Sequence, residues 1–191
     1  PGQLHLSISD ASGDSAIFQY VDGKLQIHHD RRYQVMTNSP VFDKQLALNE
    51  YWEEIGGLTM LPGTNRSADR FARASFYIKT LPKTDQANEA VAGVMSVMRN
   101  VSVPMGISTP DQPNISTTLW RSVSDQQHRR YFFELTHLPN TFWVSMDQLD
   151  LSAGAPVKKL PLTERQLYAG ETADKFVPAK AFTFLPATPG A

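Results

Sequence analysis

The sequence predicts an α+β fold, because β-forming segments stand before and after a block of helical segments instead of alternating with them. The dipeptide Asp22-Gly23, between two of the β-forming segments, strongly favours a tight β-hairpin. Between residues 41 and 101, apolar residues recur at helical spacing. Antiparallel strands are therefore expected on both sides of a central helical block.

The N-terminal part is predicted to form an antiparallel sheet. Its strands are expected over residues 4–8, 16–21 and 25–29, and a fourth strand is expected to begin at Gln34. This fourth strand should end near Asn38, because Pro40 cannot donate to a ladder and biases Ser39 away from helical geometry. The Asn38 amide would then stand at a sheet edge, able to donate to an oxyanion. Alternatively, it serves only the local turn.

Three helices are predicted in the middle of the chain. They are expected over residues 41–54, from an N-cap at Ser67 to Ile78, and from a cap at Thr84 to Val101. In the second helix, Asp69 and Arg73 fall opposite the apolar stripe, four residues apart, as an exposed ion pair would. Arg70 falls on the border of the stripe, where its guanidinium can reach a neighbouring element.

A second group of strands is predicted downstream, over residues 116–123, 130–136 and 142–146. After Ser152 the chain is rich in proline, so residues 153–191 are expected to form an extended tail that packs on the body and frays after Thr188. No repeat or linker divides the sequence. One domain over residues 1–191 is therefore expected.

Composition excludes several classes of function. A net charge of −1 argues against nucleic acid or an anionic membrane surface as the main partner. The chain has no cysteine, which excludes disulfides and thiolate metal sites. His28 and His29 are adjacent on a strand and point to opposite faces, so they do not converge on one ion. Neither a metal nor another cofactor is therefore expected.

Three polar segments, in this order, resemble the choloylglycine hydrolase family, which includes penicillin V acylases and conjugated bile salt hydrolases. The segments are Met36-Thr37-Asn38-Ser39-Pro40, Leu61-Pro62-Gly63 and Arg70-Phe71-Ala72-Arg73-Ala74. Further matches are residues 9–15, Thr118, Trp120, residues 130–133, residues 149–152 and residues 160–162. The resemblance extends over nearly the whole chain.

The resemblance implies an αββα sandwich, with two antiparallel sheets between helix layers, and hydrolysis of linear amide bonds. Members of the family use an N-terminal cysteine as nucleophile and its α-amino group as base. Asn38 matches the family's oxyanion or substrate-positioning asparagine, and Arg70 matches the arginine beside the nucleophile. Because this sequence lacks cysteine and Pro1 cannot replace it, we expect a missing N-terminal portion to supply the nucleophile. The 191-residue chain alone is expected to be inactive.

The segment between Asn38 and Arg70 is shorter than in Gram-positive bile salt hydrolases and resembles the Gram-negative branch. Members of that branch act on penicillin V and N-acyl homoserine lactones, so the resemblance implies a small-molecule amide substrate. The same resemblance implies a homotetramer and a periplasmic location. Conjugated bile salts are the alternative substrate and the cytoplasm is the alternative location. Substrate-binding residues are expected in the missing portion.

A different class of function also fits the absence of a nucleophile. The chain would then be a non-catalytic module that binds acyl amides or assembles with a partner. The family positions of Asn38 and Arg70 favour the enzyme, since a scaffold has little need of them.

Overall fold

The computed structural model describes residues 5–111, 116–163 and 166–184. Its longer elements, in chain order, are β1 (His5–Ser9), β2 (Ser15–Val21), β3 (Lys24–His29), α1 (Phe42–Ile55), α2 (Ser67–Thr80), α3 (Ala87–Asn100), β4 (Trp120–Asp125), β5 (Arg130–Leu135) and β6 (Thr141–Ser145). The short strands β7 (Lys158–Lys159), β8 (Gly170–Glu171) and β9 (Val177–Pro178) follow. The predicted α+β order of strands, helices and strands is confirmed.

The first sheet has the order β1-β2-β3 and is antiparallel throughout. Asp22 and Gly23 connect β2 to β3 with φ angles of 50° and 75°, the positive values that a two-residue hairpin turn requires. Ile17, Ser15 and Gln19 alternate along the buried face of β2. Ser15 and Gln19 are the polar residues of this buried face, and they bind the chain that follows β3.

The opposite face of the first sheet is apolar and exposed. Leu6 and Ile27 flank Phe18 in the cross-strand register, and each is 56% exposed. Tyr20 and Leu25 form the next exposed pair along the same face. We call these five residues the apolar sheet face. Within the described parts of the chain, no layer covers it.

The predicted fourth strand is absent, and residues 33–41 form an irregular segment that we call the Asn38 segment. Side chains hold this backbone where a ladder was expected: the Ser15 hydroxyl donates to Tyr33 O at 2.7 Å, and Phe42 N donates to Gln19 Oε1 at 2.9 Å. The prediction was wrong because bonds to side chains also satisfy an extended backbone. Asn38 therefore lies in a bend beside the sheet, and not at the end of a strand.

The first core lies between β2, α1 and α2. Ile17, Phe42 and Phe71 form its buried centre, and Tyr33, Val35, Met36 and Leu46 pack around them. This burial fixes where α1 and α2 sit relative to the sheet, since a few large apolar side chains dominate the packing energy. The Asn38 segment contributes three of the surrounding side chains, which anchors it to the core.

Two helix starts differ from the predictions. Ser67 is the first residue of α2, with Arg66 as its N-cap, and α3 begins at Ala87 with Gln86 as its N-cap. Neither cap residue makes a side-chain capping bond. Thr84 instead accepts a hydrogen bond from Gln86 N at 3.1 Å in the turn before the helix. Both errors arise because a short polar side chain can serve a preceding turn or an early helical position as well as a cap.

The second sheet has the order β4-β5-β6-β8, with β8 parallel to β6. Helix α3 covers it through Val91 and Met95, which pack on Phe132 with Val123 and Trp143 around them. Buried Glu134 on β5 binds Arg99 of α3 and Arg121 of β4, so an ion-pair network also joins helix and sheet. The Gln126 side chain donates to Ser9 O at 2.7 Å and links this sheet to the first.

The described part of the tail after Ser152 contains three short strands. Thr172 N donates to Trp143 O at 2.9 Å, beside the β6–β8 pairing, and β7 pairs with β9. The backbone groups of these short extended segments find ladder partners, one of them on β6 of the body. The fraying expected after Thr188 falls outside the described residues.

Candidate active site

Asn38 lies exposed at the bend of the Asn38 segment, and its side chain makes no hydrogen bond to any residue that the structure describes. It borders a small cavity of about 80 Å³ near the β2–β3 hairpin. The other residues around this cavity are His5, Gln19, Tyr20, Val21, Ser39, Pro40 and Val41. A side-chain amide with free N–H donors at a concave surface can donate a hydrogen bond to the carbonyl oxygen of a bound molecule.

The backbone around Asn38 is held by Gln45, a fully buried side chain of α1. Gln45 Nε2 donates to Thr37 O at 2.9 Å and to Pro40 O at 2.5 Å, and Gln45 Oε1 accepts from Thr37 N at 3.2 Å. One amide thus binds the chain on both sides of Asn38. The bend is therefore fixed by hydrogen bonds to a side chain although it contains no regular structure.

The same bend contacts the first turn of α2. The Thr37 hydroxyl lies 2.9 Å from Ser67 O, to which it can donate. On the same turn, Arg70 Nη2 donates to Ser67 Oγ at 3.2 Å, and Arg70 Nε donates to Asn65 O at 3.1 Å. Ser67 therefore contacts both Arg70 and Thr37, the residue that precedes Asn38.

Arg70 carries a positive charge that is not balanced locally. Its side chain is half-buried, and no carboxylate in the described structure forms an ion pair with it. The pKa of the Arg70 guanidinium lies below its usual value, first because of burial and then because of the nearby charge of Arg73. Arginine stays charged at neutral pH despite such a shift. This uncompensated cation can stabilise an anion.

Arg73 does not lie where the sequence predicted. It is only 8% exposed, and its Nη1 donates to Pro62 O at 2.7 Å and to Thr64 O at 2.9 Å. Asp69 instead accepts from the Thr64 hydroxyl at 2.5 Å. The predicted exposed ion pair is wrong because residues 61–66 fold back over this side of α2 and need donors for their carbonyls. Arg73 thus holds the loop that precedes Arg70.

Sequence reasoning missed Gln45 and Thr37. Gln45 follows Phe42 by three positions, so both side chains lie on the buried face of α1. A polar residue at a core-facing position is the signal that was available, because buried amides require hydrogen-bond partners. Its partners lie in an irregular segment, which no periodic pattern identifies.

The histidines show no metal-binding arrangement. Within the described ranges, no group of three or more His, Cys, Asp or Glu residues can hold a metal ion. His28 Nδ1 lies 3.6 Å from Asp43, and its ring packs against Tyr33 and Phe42. His29 binds Asp14 at 2.9 Å on the other side of the strand, as the alternation of strand side chains predicts.

None of the helices that the structure describes is both long and apolar enough to cross a bilayer.

Comparison with family models matches residues 2–159 to the linear amide C–N hydrolases of the choloylglycine hydrolase family. Among curated proteins, the chain is 49% identical over 196 residues to a penicillin V acylase from Pectobacterium atrosepticum, with 95% of this chain and 52% of that protein covered.

Solved structures agree with this result. The penicillin V acylase from Agrobacterium tumefaciens superimposes with a TM-score of 0.89 at 58% identity, covering 96% of this chain and 59% of that one. A mutant conjugated bile acid hydrolase from Clostridium perfringens has a TM-score of 0.62 at 23% identity, covering 77% and 51%. The latter likeness concerns the fold alone. The chain spans about half the length of the relatives it matches.

Proposed function

Because this chain belongs to the choloylglycine hydrolase family of linear amide C–N hydrolases, we propose that it forms the oxyanion-binding and cationic side of an amidase active site. The contact between Thr37 and Ser67 carries the proposal, since it joins the Asn38 bend to the turn that bears Arg70. The nucleophile is assigned to a segment outside this chain, which contains no cysteine. The chain alone is then inactive.

In the proposed reaction, the thiolate of an N-terminal cysteine attacks the amide carbonyl, and the carbon–oxygen π pair moves onto oxygen. The Asn38 side-chain N–H donates to this oxyanion. The α-amino group has first taken the thiol proton, which its pKa of about 8 permits. When the oxyanion pair re-forms the carbonyl, the C–N bond breaks, the same proton passes to the leaving amine, and a thioester remains. Water then attacks the thioester, releasing the acid and the thiol. Arg70 favours the thiolate and the anionic intermediates through its charge.

The proposed substrates are small acyl amides of the penicillin V type, by similarity to the two penicillin V acylases. N-acyl homoserine lactones are a second acyl-amide class to test. Conjugated bile salts have weaker support, because the bile acid hydrolase shares the fold at only 23% identity. A periplasmic location and a homotetramer remain proposals of the same kind.

The test uses the full-length protein and measures release of the free amine. Penicillin V, a long-chain N-acyl homoserine lactone and glycocholate are supplied separately. Turnover of the first or second that is lost in a folded Asn38→Ala variant supports the proposal. Turnover by the 191-residue chain alone would place the nucleophile inside it and reject the mechanism.

A non-catalytic module is the second candidate, and the absence of cysteine from the sequence is the observation that favours it. The module would bind acyl amides without cleaving them. The intact mass and N-terminal sequence of the mature gene product distinguish the two. A processed N-terminal cysteine supports the enzyme, whereas a mature start near Pro1 supports the module.

A further inference from the structure

We propose that Gln45 is a positioning residue for Asn38, and this inference rests on the proposed amidase function. Gln45 is a buried amide on α1 whose hydrogen bonds to described residues go to the Asn38 segment. It therefore acts on the reaction through the place and orientation of Asn38, without touching the substrate itself.

The Gln45 side chain has the donors and the acceptor that the backbone around Asn38 needs. A glutamine amide has two N–H donors and one carbonyl acceptor. The two donors go to Thr37 O and Pro40 O, and the acceptor receives Thr37 N. These three backbone groups bracket Asn38 and Ser39. No other residue type offers the same donors at the same reach: glutamate lacks them, and asparagine is one methylene shorter.

We call the hydrogen bonds from Gln45 to Thr37 and Pro40 the Gln45 clamp, and burial strengthens them. Gln45 is 0% exposed and Thr37 is 9% exposed, so water does not readily replace a lost bond. A buried backbone group that loses its hydrogen-bond partner destabilises the conformation that leaves it unpaired. If Gln45 is removed, the bend therefore shifts until its groups find new partners. Asn38 moves with it, because its own side chain has no described partner to hold it.

The clamp also sets the relation between Asn38 and Arg70. Gln45 fixes Thr37, and the Thr37 hydroxyl lies 2.9 Å from Ser67 O on α2. Arg70 binds the hydroxyl of the same Ser67. A displacement of Thr37 thus changes the spacing between the oxyanion donor and the cation, and misplacement of a reacting group by about 1 Å can cost about 10²-fold in rate.

A double-mutant cycle in the full-length enzyme tests the inference. Gln45→Met keeps the volume and removes the bonds, and we expect kcat to fall about 10- to 100-fold with KM changed less than about threefold. In an Asn38→Ala background, the same substitution should lower kcat by less than about threefold, because the positioned group is already gone. Unfolding midpoints are measured for all four proteins.

If Gln45→Met fails to fold, Thr37→Val tests the same clamp from its other side. Valine has the shape of threonine but cannot donate to Ser67 O. The Thr37→Val substitution should therefore lower kcat less in the Asn38→Ala background than in the wild type. Thr37→Ser restores the hydroxyl and should recover most of kcat. A general packing role predicts no such recovery.

The outcomes separate this inference from the proposed function. An inactive wild-type enzyme overturns both. An active wild type in which Asn38→Ala has no effect rejects Asn38 as the donor and, with it, the positioning role. In a further outcome, Asn38→Ala is defective while Gln45→Met or Thr37→Val lowers kcat by the same factor in the Asn38→Ala background as in the wild type. That result leaves the proposed function standing and overturns the positioning role.

Discussion

The Thr37 hydroxyl lies 2.9 Å from the backbone carbonyl of Ser67, although thirty residues separate them in the chain. This contact joins an irregular bend to the first turn of α2. Asn38 follows Thr37 directly, and Arg70 binds the Ser67 hydroxyl. The segment that bears Asn38 and the helical turn that bears Arg70 are therefore joined by hydrogen bonds through Thr37 and Ser67.

Substitution of Asn38 should affect catalysis and leave folding intact. In the full-length enzyme, Asn38→Ala is expected to lower kcat by about 10²–10³, the usual effect of deleting one oxyanion donor. Its unfolding midpoint should hardly change, because the side chain is exposed. Steady-state kinetics and thermal unfolding measure the two effects. Asn100→Ala, at an exposed position of α3, is the matched control, and a normal kcat in Asn38→Ala would reject the assigned role.

Substitution of Arg70 should change the reactivity of the catalytic thiol. Without this positive charge the thiolate is less favoured, so the pKa of the thiol should rise in Arg70→Ala. The rate of alkylation by iodoacetamide at neutral pH should then fall, and its pH profile should move to higher pH. Arg66→Ala removes an exposed charge next to the same helix and serves as the control. Equal profiles for both variants would remove Arg70 from the site.

Arg73 should matter for stability. Arg73→Ala leaves the carbonyls of Pro62 and Thr64 without their buried donor, which should lower the free energy of unfolding by about 2–4 kcal/mol. Arg66→Ala, exposed at the N-cap of the same helix, should change it by less than about 0.5 kcal/mol. Urea denaturation measures both values. Equal stability of the two variants would show that residues 61–66 do not depend on Arg73.

Glu134 should make stability depend on acid pH. Burial alone would raise the pKa of Glu134, but hydrogen bonds from Arg99 and Thr141 hold it below its usual value. A lowered pKa in the folded state stabilises the protein above the unfolded pKa of about 4.3, and this stabilisation is lost as pH falls through the folded pKa. The unfolding midpoint measured from pH 6 to pH 3 should therefore decrease.

Glu134→Gln identifies the source of that decrease. Glutamine keeps the shape but cannot ionise, so the variant should be less stable at pH 6 and should lose less stability on acidification. If wild type and variant decline in parallel between pH 5 and pH 3, other carboxylates are responsible for the acid sensitivity.

The apolar sheet face should bind hydrophobic dyes in the isolated chain. A contiguous exposed apolar surface of this kind promotes aggregation and binds apolar molecules. We expect strong fluorescence of an anilinonaphthalene dye with the 191-residue chain and weak fluorescence with the full-length protein. Leu6→Thr combined with Ile27→Thr should reduce the signal. Leu58→Thr, at a residue 92% exposed but outside this face, is the control. Equal reduction by the control would show that the dye binds elsewhere.

Local pattern was enough to predict much of this fold. Asp22-Gly23 identified the hairpin because two consecutive positive φ angles favour those residue types. The spacing of Val91 and Met95 identified the buried face of α3 for a similar reason, since helical periodicity is a property of neighbouring residues. The family motifs nominated Asn38 and Arg70; in the fold, Arg70 and Thr37, the residue before Asn38, both contact Ser67.

Tertiary structure decided what holds those residues. The Asn38 segment resembled a strand, but Ser15, Gln19 and Gln45 bind its backbone or its flanks through side chains. Arg73 resembled a solvated residue until the loop over residues 61–66 covered it. Such bonds connect side chains to backbone groups far away in the sequence, so they leave no periodic trace. They depend on which segments the packed core brings together, and only the folded chain determines that.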